Sequence, residues 1–165
     1  MAMTYTETAA EISPCGKFRY WLSRDWNHER ETCVFAMLNP STADGTEDDP
    51  TIRRCVGFAG SWGFGRLVVV NLFALRATNP DELRTAADPV GPENDRWLFE
   101  LTAGRKVFCA WGSTVSKWPS ARILERPAVA RKAMQGAFLY HLGLTKGGHP
   151  KHPLYLPASV QPVKW

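Results

Sequence analysis

The sequence contains no C-x-x-C pair: its four cysteines, Cys15, Cys33, Cys55 and Cys109, lie far apart. Zinc and iron–sulfur sites usually draw two ligands from one tight turn, so this spacing predicts no metal and no cofactor. Cys33 and Cys109 fall in or beside apolar strands and read as small buried hydrophobes. No apolar run approaches the ~18 residues that a membrane span requires. The opening MAMTYTETAAEI has neither a basic nor an apolar region and does not read as a secretory signal. A cytoplasmic protein without membrane partners is therefore expected. Repeats, low-complexity tracts and long linkers are missing too, which predicts one domain over residues 1–165 with its core at about 15–157.

What is present is the makeup of an ordinary globular chain. Of 165 residues, 44% are apolar and 22% charged, enough to build a hydrophobic core. The net charge of +4 and a pI near 9.0 permit a phosphate-bearing partner without requiring one.

Strand and helix patterns alternate along the chain. GKFRYWLSRDW (16–26) follows a Ser-Pro-Cys-Gly turn and alternates Phe18, Tyr20 and Leu22 against Lys17, Arg19 and Trp21, the pattern of a half-buried strand. NHERE (27–31) reads as a charged turn and TCVFAML (32–38) as a strand buried on both faces, so the two strands are expected to form a hairpin. Pro50 starts a helix through TIRRCVGFAGSWG, capped by Asp48 or Asp49 and ended by Gly63 or Gly65. The unbroken apolar run in RLVVVNLFAL (66–75) implies cover on both faces, as in a parallel sheet. A short helix at 78–86, a longer one at 91–104, a strand at 106–112, a helix at 126–137 and a strand at 138–144 follow, then a Gly/Pro-rich tail. This order predicts a three-layer α/β/α domain with a mainly parallel central sheet and an N-terminal antiparallel hairpin at its edge.

Ligands of open α/β sheets bind beyond the carboxyl ends of the strands. Those ends carry Asn39-Pro40-Ser41, Asn71 with Phe73, Trp111-Gly112-Ser113, and the loop from Thr145 to Leu156. Amides, hydroxyls, a lysine, two histidines and aromatic rings together suit a pocket for a flat polar ring. Each has a plainer reading as well. Asn39-Pro40 can be a turn, and Trp111-Gly112 core plus a strand end. Asn71 can be a satisfied structural amide, since an unsatisfied one costs about 1–3 kcal/mol. His149 and His152 each precede a proline in a loop without an apolar face, which makes them functional candidates, whereas His28 and His141 read as structural or surface groups. Asp44, Glu47, Asp48 and Asp49 can hold a divalent cation or form a solvated loop whose last acids cap the next helix, the preferred reading. Arg53 and Arg54 can reach back to these acids or to a phosphate.

MLNPSTAD, DPTIRRC, NLFALRATNP, DPVGPENDRWL, AWG and GLTKGGHPKHPLYL together resemble a bacterial and phage family known only as a domain of unknown function, family 1643, over about residues 15–157. That resemblance implies no activity. More remotely, the motif order resembles the uracil-DNA glycosylase superfamily. In those enzymes one strand ends in Gly-x-Asp/Asn-Pro, a second in an Asn that reads the base, and a third in a Trp-Gly-Ser-like turn, before a final His-Pro-Ser loop. MLNPS (37–41), VVVNLF (68–73), VFCAWGS (107–113) and GGHPKHPLYL (147–156) follow in that order. The resemblance implies that Asn39 positions the attacking water and Asn71 bonds the edge of the base. It makes His152 or His149 the group that stabilises the departing base, with His152 preferred for its HPLYL context. Pro40, Ser41, Phe73, Trp111 and Ser113 are then base-binding candidates, and Arg53, Arg54, Lys146 and Lys151 are phosphate candidates. The chain departs from the glycosylase pattern in that no Gly precedes Asn39, the final loop lacks His-Pro-Ser, and the close-spaced cysteines of the iron–sulfur branches are absent.

The implied activity is base excision: hydrolysis of the N-glycosidic bond of a modified or damaged base in nucleic acid, DNA in the first instance. A target in a duplex would be flipped out, with basic residues along the phosphates. Asn39 has no charge with which to deprotonate water, so catalysis would lean on stabilising the leaving group. The alternatives are a same-fold enzyme acting on free nucleosides or nucleotides, a non-catalytic nucleic-acid-binding module, and a metal-dependent hydrolase using the acids at 44–49 with a histidine.

Overall fold

A computed structural model describes residues 2–165. Its strands are β1 (Glu7–Ile12), β2 (Arg19–Asp25), β3 (Thr32–Met37), β4 (Arg66–Asn71), β5 (Lys106–Cys109), β6 (Phe138–His141) and β7 (Val163–Lys164). The helices are α1 (Pro50–Ser61), α2 (Glu82–Thr85), α3 (Asn94–Thr102), α4 (Ala121–Leu124) and α5 (Arg126–Ala133). All seven strands join one sheet in the order β1-β2-β4-β3-β5-β6-β7. The central four pair in parallel, while β2 on β4, β1 on β2 and β7 on β6 are antiparallel. The fold is thus α/β with a mixed sheet, and not mainly parallel. Among the described residues, no helix is long and apolar enough to cross a membrane.

The hairpin expected between residues 16–26 and 32–38 does not form, because β4 lies between β2 and β3. The connection at 27–31 is a bridge across the start of β4. Trp26 and Asn27 both donate to Gly65 O (2.9 and 3.0 Å), and Gly65 N donates to Glu31 O (3.0 Å). Gly65 is needed there, since a Cβ would collide with Asn27 O. The edge hairpin is β1 with β2. ETAAEI carries no clear strand pattern in sequence, and it is held chiefly by main-chain pairing along β2 from Glu7↔Asp25 to Ile12↔Arg19.

Alternation along the central strands feeds two separate cores. Cys33, Phe35, Met37, Leu67 and Val69 pack with Ile52, Cys55, Val56, Phe58 and Ala59 of α1. Val34, Ala36, Leu38, Val68 and Val70 pack with Leu98 of α3 and Ala130 of α5. Burial on both sides explains the uninterrupted Val68-Val69-Val70 run.

The connections locate the crevice. From β3 the chain passes through α1 to β4 on one side, then returns through α2 and α3 to β5 on the other side of β3. The carboxyl ends of β3 and β5 therefore flank a topological switch point, where open α/β sheets place their ligands.

Candidate functional site

A cavity of about 760 Å³ opens at that switch point. Its wall takes Asn39 and Ser41 from beyond β3, Asn71 from β4, Trp111 and Ser113 from beyond β5, and Lys151 and His152 from the final loop. Gly112 joins two of these segments: its φ is +74° and its N–H donates to Pro150 O at 2.8 Å.

Asn39 holds the tip of β3. Its Nδ2 donates to Pro40 O and to Ala77 O, both at 2.9 Å, and Ala77 N returns a bond to Pro40 O at 3.0 Å. The amide hydrogens are thereby used in the turn, and no hydrogen bond to Oδ1 is made among the described residues. Asn71 differs. Its residue is 1% exposed, its main-chain oxygen accepts from Asn94 Nδ2 at 3.0 Å, and its own Nδ2 has no partner. Trp111 Nε1, in a residue 1% exposed, has none either.

His152 Nδ1 accepts from Leu154 N at 3.2 Å, which puts the proton of the neutral ring on Nε2. Burial holds its pKa below the ordinary histidine value, against the field of Asp49, which acts to raise it. At neutral pH the ring is a hydrogen-bond donor without net charge.

Several residues singled out from sequence stand elsewhere. Pro40 is buried next to Asn39 but off the wall. Phe73 is fully buried in the core on the α3 and α5 side, because β4 ends at Asn71 and the chain turns into that core. His149 is off the wall as well; its main chain closes a turn with Thr145, through Thr145 N to His149 O at 2.8 Å and His149 N to Thr145 Oγ1 at 3.2 Å. Arg54 donates to Pro153 O at 3.4 Å and to Leu156 O, fastening the final loop to α1. Arg53 donates to Asp48 O at 2.8 Å. Both arginines are thus occupied within the chain. Lys146 is exposed and off the wall.

The acids at 44–49 serve the loop they occupy. Asp44 Oδ1 accepts from Thr46 N and Glu47 N, both at 2.8 Å. Asp48 pairs with Arg24 at 2.7 Å and accepts from Tyr5 OH at 2.5 Å. Asp49 Oδ1 caps α1 by accepting from Ile52 N at 2.8 Å. Among the described residues, no three His, Cys, Asp or Glu side chains gather as a metal-holding group.

Among the wall residues that the sequence pattern did not place at this site are Arg19, Asp49, Thr51, Thr78 and Pro80. Glu11 faces Trp21 while Ile12 faces Arg19, so Tyr20 is an extra residue, a bulge that breaks the strict alternation. Arg19 is 2% exposed. Its Nη1 donates to Ala43 O and its Nε has no partner. Burial lowers its pKa to about 10, with Asp49 acting to raise it. Asp49 was visible as a helix cap or, less favoured, a cation ligand; nothing local says that it borders this cavity.

Fold and site together define an α/β-sheet protein with a largely apolar cavity, carrying a few polar side chains, at a topological switch point. The chain belongs to the family described as a protein of unknown function (DUF1643), whose model matches residues 19–154. No curated protein and no solved structure matches it.

Proposed function

We propose that the chain hydrolyses the N-glycosidic bond of a modified or damaged base in nucleic acid, on a three-layer fold of the uracil-DNA glycosylase kind. The observation that carries this reading is Asn71: a buried amide in the cavity wall whose Nδ2 has no partner. An unpaired buried donor costs about 1–3 kcal/mol, and an acceptor on the edge of a bound base would recover it. Trp111 Nε1 is a second such donor. The transition state has oxocarbenium character in the sugar and negative charge moving onto the base. His152, neutral with its proton on Nε2, would donate to the departing base and stabilise that charge. Tyr155 is 87% exposed at the cavity rim and would stack an unpaired base. Lys151 in the wall would meet a phosphate.

The tethering of Arg54 through Nε and Nη2 to main-chain oxygens removes one phosphate contact, and favours a second reading in which the substrate is a free nucleoside or nucleotide. Labelled single- and double-stranded oligonucleotides carrying a panel of modified bases, assayed beside free nucleosides for base release, separate the readings. The expected result is release from oligonucleotide, reduced at least about 100-fold by Asn71→Ala and by His152→Gln. Release from nucleosides alone would select the second reading, and retention of DNA without release would make the chain a binding module. Neither release nor retention at low salt would overturn all three.

A further inference from the structure

Asp49 occupies the same wall as Asn71 and His152, and it is the one carboxylate among the residues that line the cavity. Its two oxygens have different surroundings. Oδ1 is held by Ile52 N at 2.8 Å, while Oδ2 has no hydrogen-bond partner among the described residues. The cap bond fixes the carboxylate at the N-terminus of α1, a twelve-residue helix whose dipole favours an anion. A helix cap alone would be unremarkable. Here three residues of the same wall carry buried donors without partners, namely Arg19 Nε, Asn71 Nδ2 and Trp111 Nε1, on residues 2%, 1% and 1% exposed. Buried donors left without acceptors are uncommon in folded proteins and call for an explanation; five other buried polar atoms without partners lie on residues away from this cavity. The field of Asp49 reaches both Arg19 and His152, yet neither forms an ion pair with it. One oxygen of this wall carboxylate is committed to the cap and the other is not.

Asn39, which the glycosylase resemblance assigns to the water, is differently placed: it is neutral and its amide hydrogens are bound to Pro40 O and Ala77 O. Resting on the hydrolytic reading above, we propose that Asp49 is the catalytic base, taking a proton from the attacking water on Oδ2, while Asn39 holds the turn. The water oxygen bonds to the anomeric carbon as its proton passes to Asp49. The carbon–nitrogen bond breaks with its electron pair going to the base, which His152 Nε2–H stabilises. The proton on Asp49 then leaves through solvent to the base, so that one water has added across the bond.

Asp49→Asn tests this cleanly, because Asn caps a helix about as well as Asp but carries no charge. The variant should melt near the wild type and release base about 100- to 10,000-fold more slowly, the range for loss of a general base. The His152 imidazole, followed by NMR titration, should show a lowered pKa in the variant, a readout that needs no activity. Asp49→Ser keeps a capping oxygen, and the same losses are expected from it should Asp49→Asn fold poorly. Asn39→Ala should lower thermal stability more than Asp49→Asn does. Release within about threefold of wild type in both Asp49 variants overturns the assignment of Asp49 and returns the water to Asn39. An unchanged His152 titration overturns the placement of a carboxylate with one uncommitted oxygen beside it. A wild-type chain that releases no base from any substrate overturns hydrolysis itself, a failure distinct from these two.

Discussion

Arg24 and Arg19 lie five residues apart on β2 and both are buried, yet the chain treats them in opposite ways. Arg24 is 0% exposed and saturated: Nε meets Asp48 at 2.7 Å, Nη1 donates to Ser23 O at 2.9 Å, and Nη2 donates to Asp44 O and Glu47 O at 2.7 and 3.1 Å. It organises the loop that leads from β3 to α1. Arg19 makes one bond to that loop, at Ala43 O, and keeps Nε unpartnered. Asn94 and Asn71 repeat the contrast in their amide nitrogens, although Asn94 Oδ1 is also buried without a partner. Asn94 Nδ2 donates to Asn71 O and Leu72 O at 3.0 and 3.1 Å, whereas Asn71 Nδ2 donates to nothing. A buried donor that is satisfied holds the fold. One left idle, beside a cavity, marks where a ligand would bind.

Breaking the arginine pair gives the largest expected effect. Arg24→Met should lower unfolding free energy by about 3–5 kcal/mol in urea titration, because Asp48 and several carbonyls lose their buried partner. Arg19→Met should cost only about 1 kcal/mol, the worth of one hydrogen bond. Equal losses would erase the distinction between the two.

The asparagines should separate by less. Asn94→Ala is expected to cost about 1–3 kcal/mol by removing a donor from Asn71 O and one of two side-chain donors from Leu72 O, which keeps Arg126 Nε, and Asn71→Ala under about 1 kcal/mol, since it removes a donor that has no partner. A larger loss for Asn71→Ala would show that its amide is committed to the fold after all.

The smallest effect sharpens the same contrast through pH. The folded-state pKa of His152 lies below the ordinary value of 6.5 because the ring is buried. As pH falls below about 6.5, the unfolded chain binds a proton there that the folded chain refuses, so stability declines with acidification until the folded pKa is passed. His152→Gln should flatten that slope between about pH 7 and pH 5, measured by thermal unfolding. Parallel curves for the two proteins would put the ring in water.

Much of the architecture was legible locally. The run at Val68-Val69-Val70 announced a strand covered on both faces, and Asp49-Pro50 announced the start of α1, because burial and capping impose residue types at short range. The pairing of strands was not legible. NHERE has the look of a tight turn, and only the approach of Gly65 to Asn27 shows that it bridges a third strand. Phe73 and Arg54 were misread for a related reason. Proximity to a strand end or a helix start does not say which core receives a ring or which loop a guanidinium ties down.

By itself the sequence determined the segments that form β2 to β6 and most of the helices (but not β1, β7 or α4), the α/β class, and the set of polar residues at the ends of the central strands. Those are consequences of hydrophobic period and of turn and cap chemistry, which act within a few residues. Only the tertiary structure decided that β4 stands between β2 and β3, that a bulge at Tyr20 shifts the register through which Arg19 enters the wall, and that Asp49 caps a helix with one oxygen while leaving the other free. Whether a polar atom is satisfied depends on elements far away in the chain, and no local pattern records it.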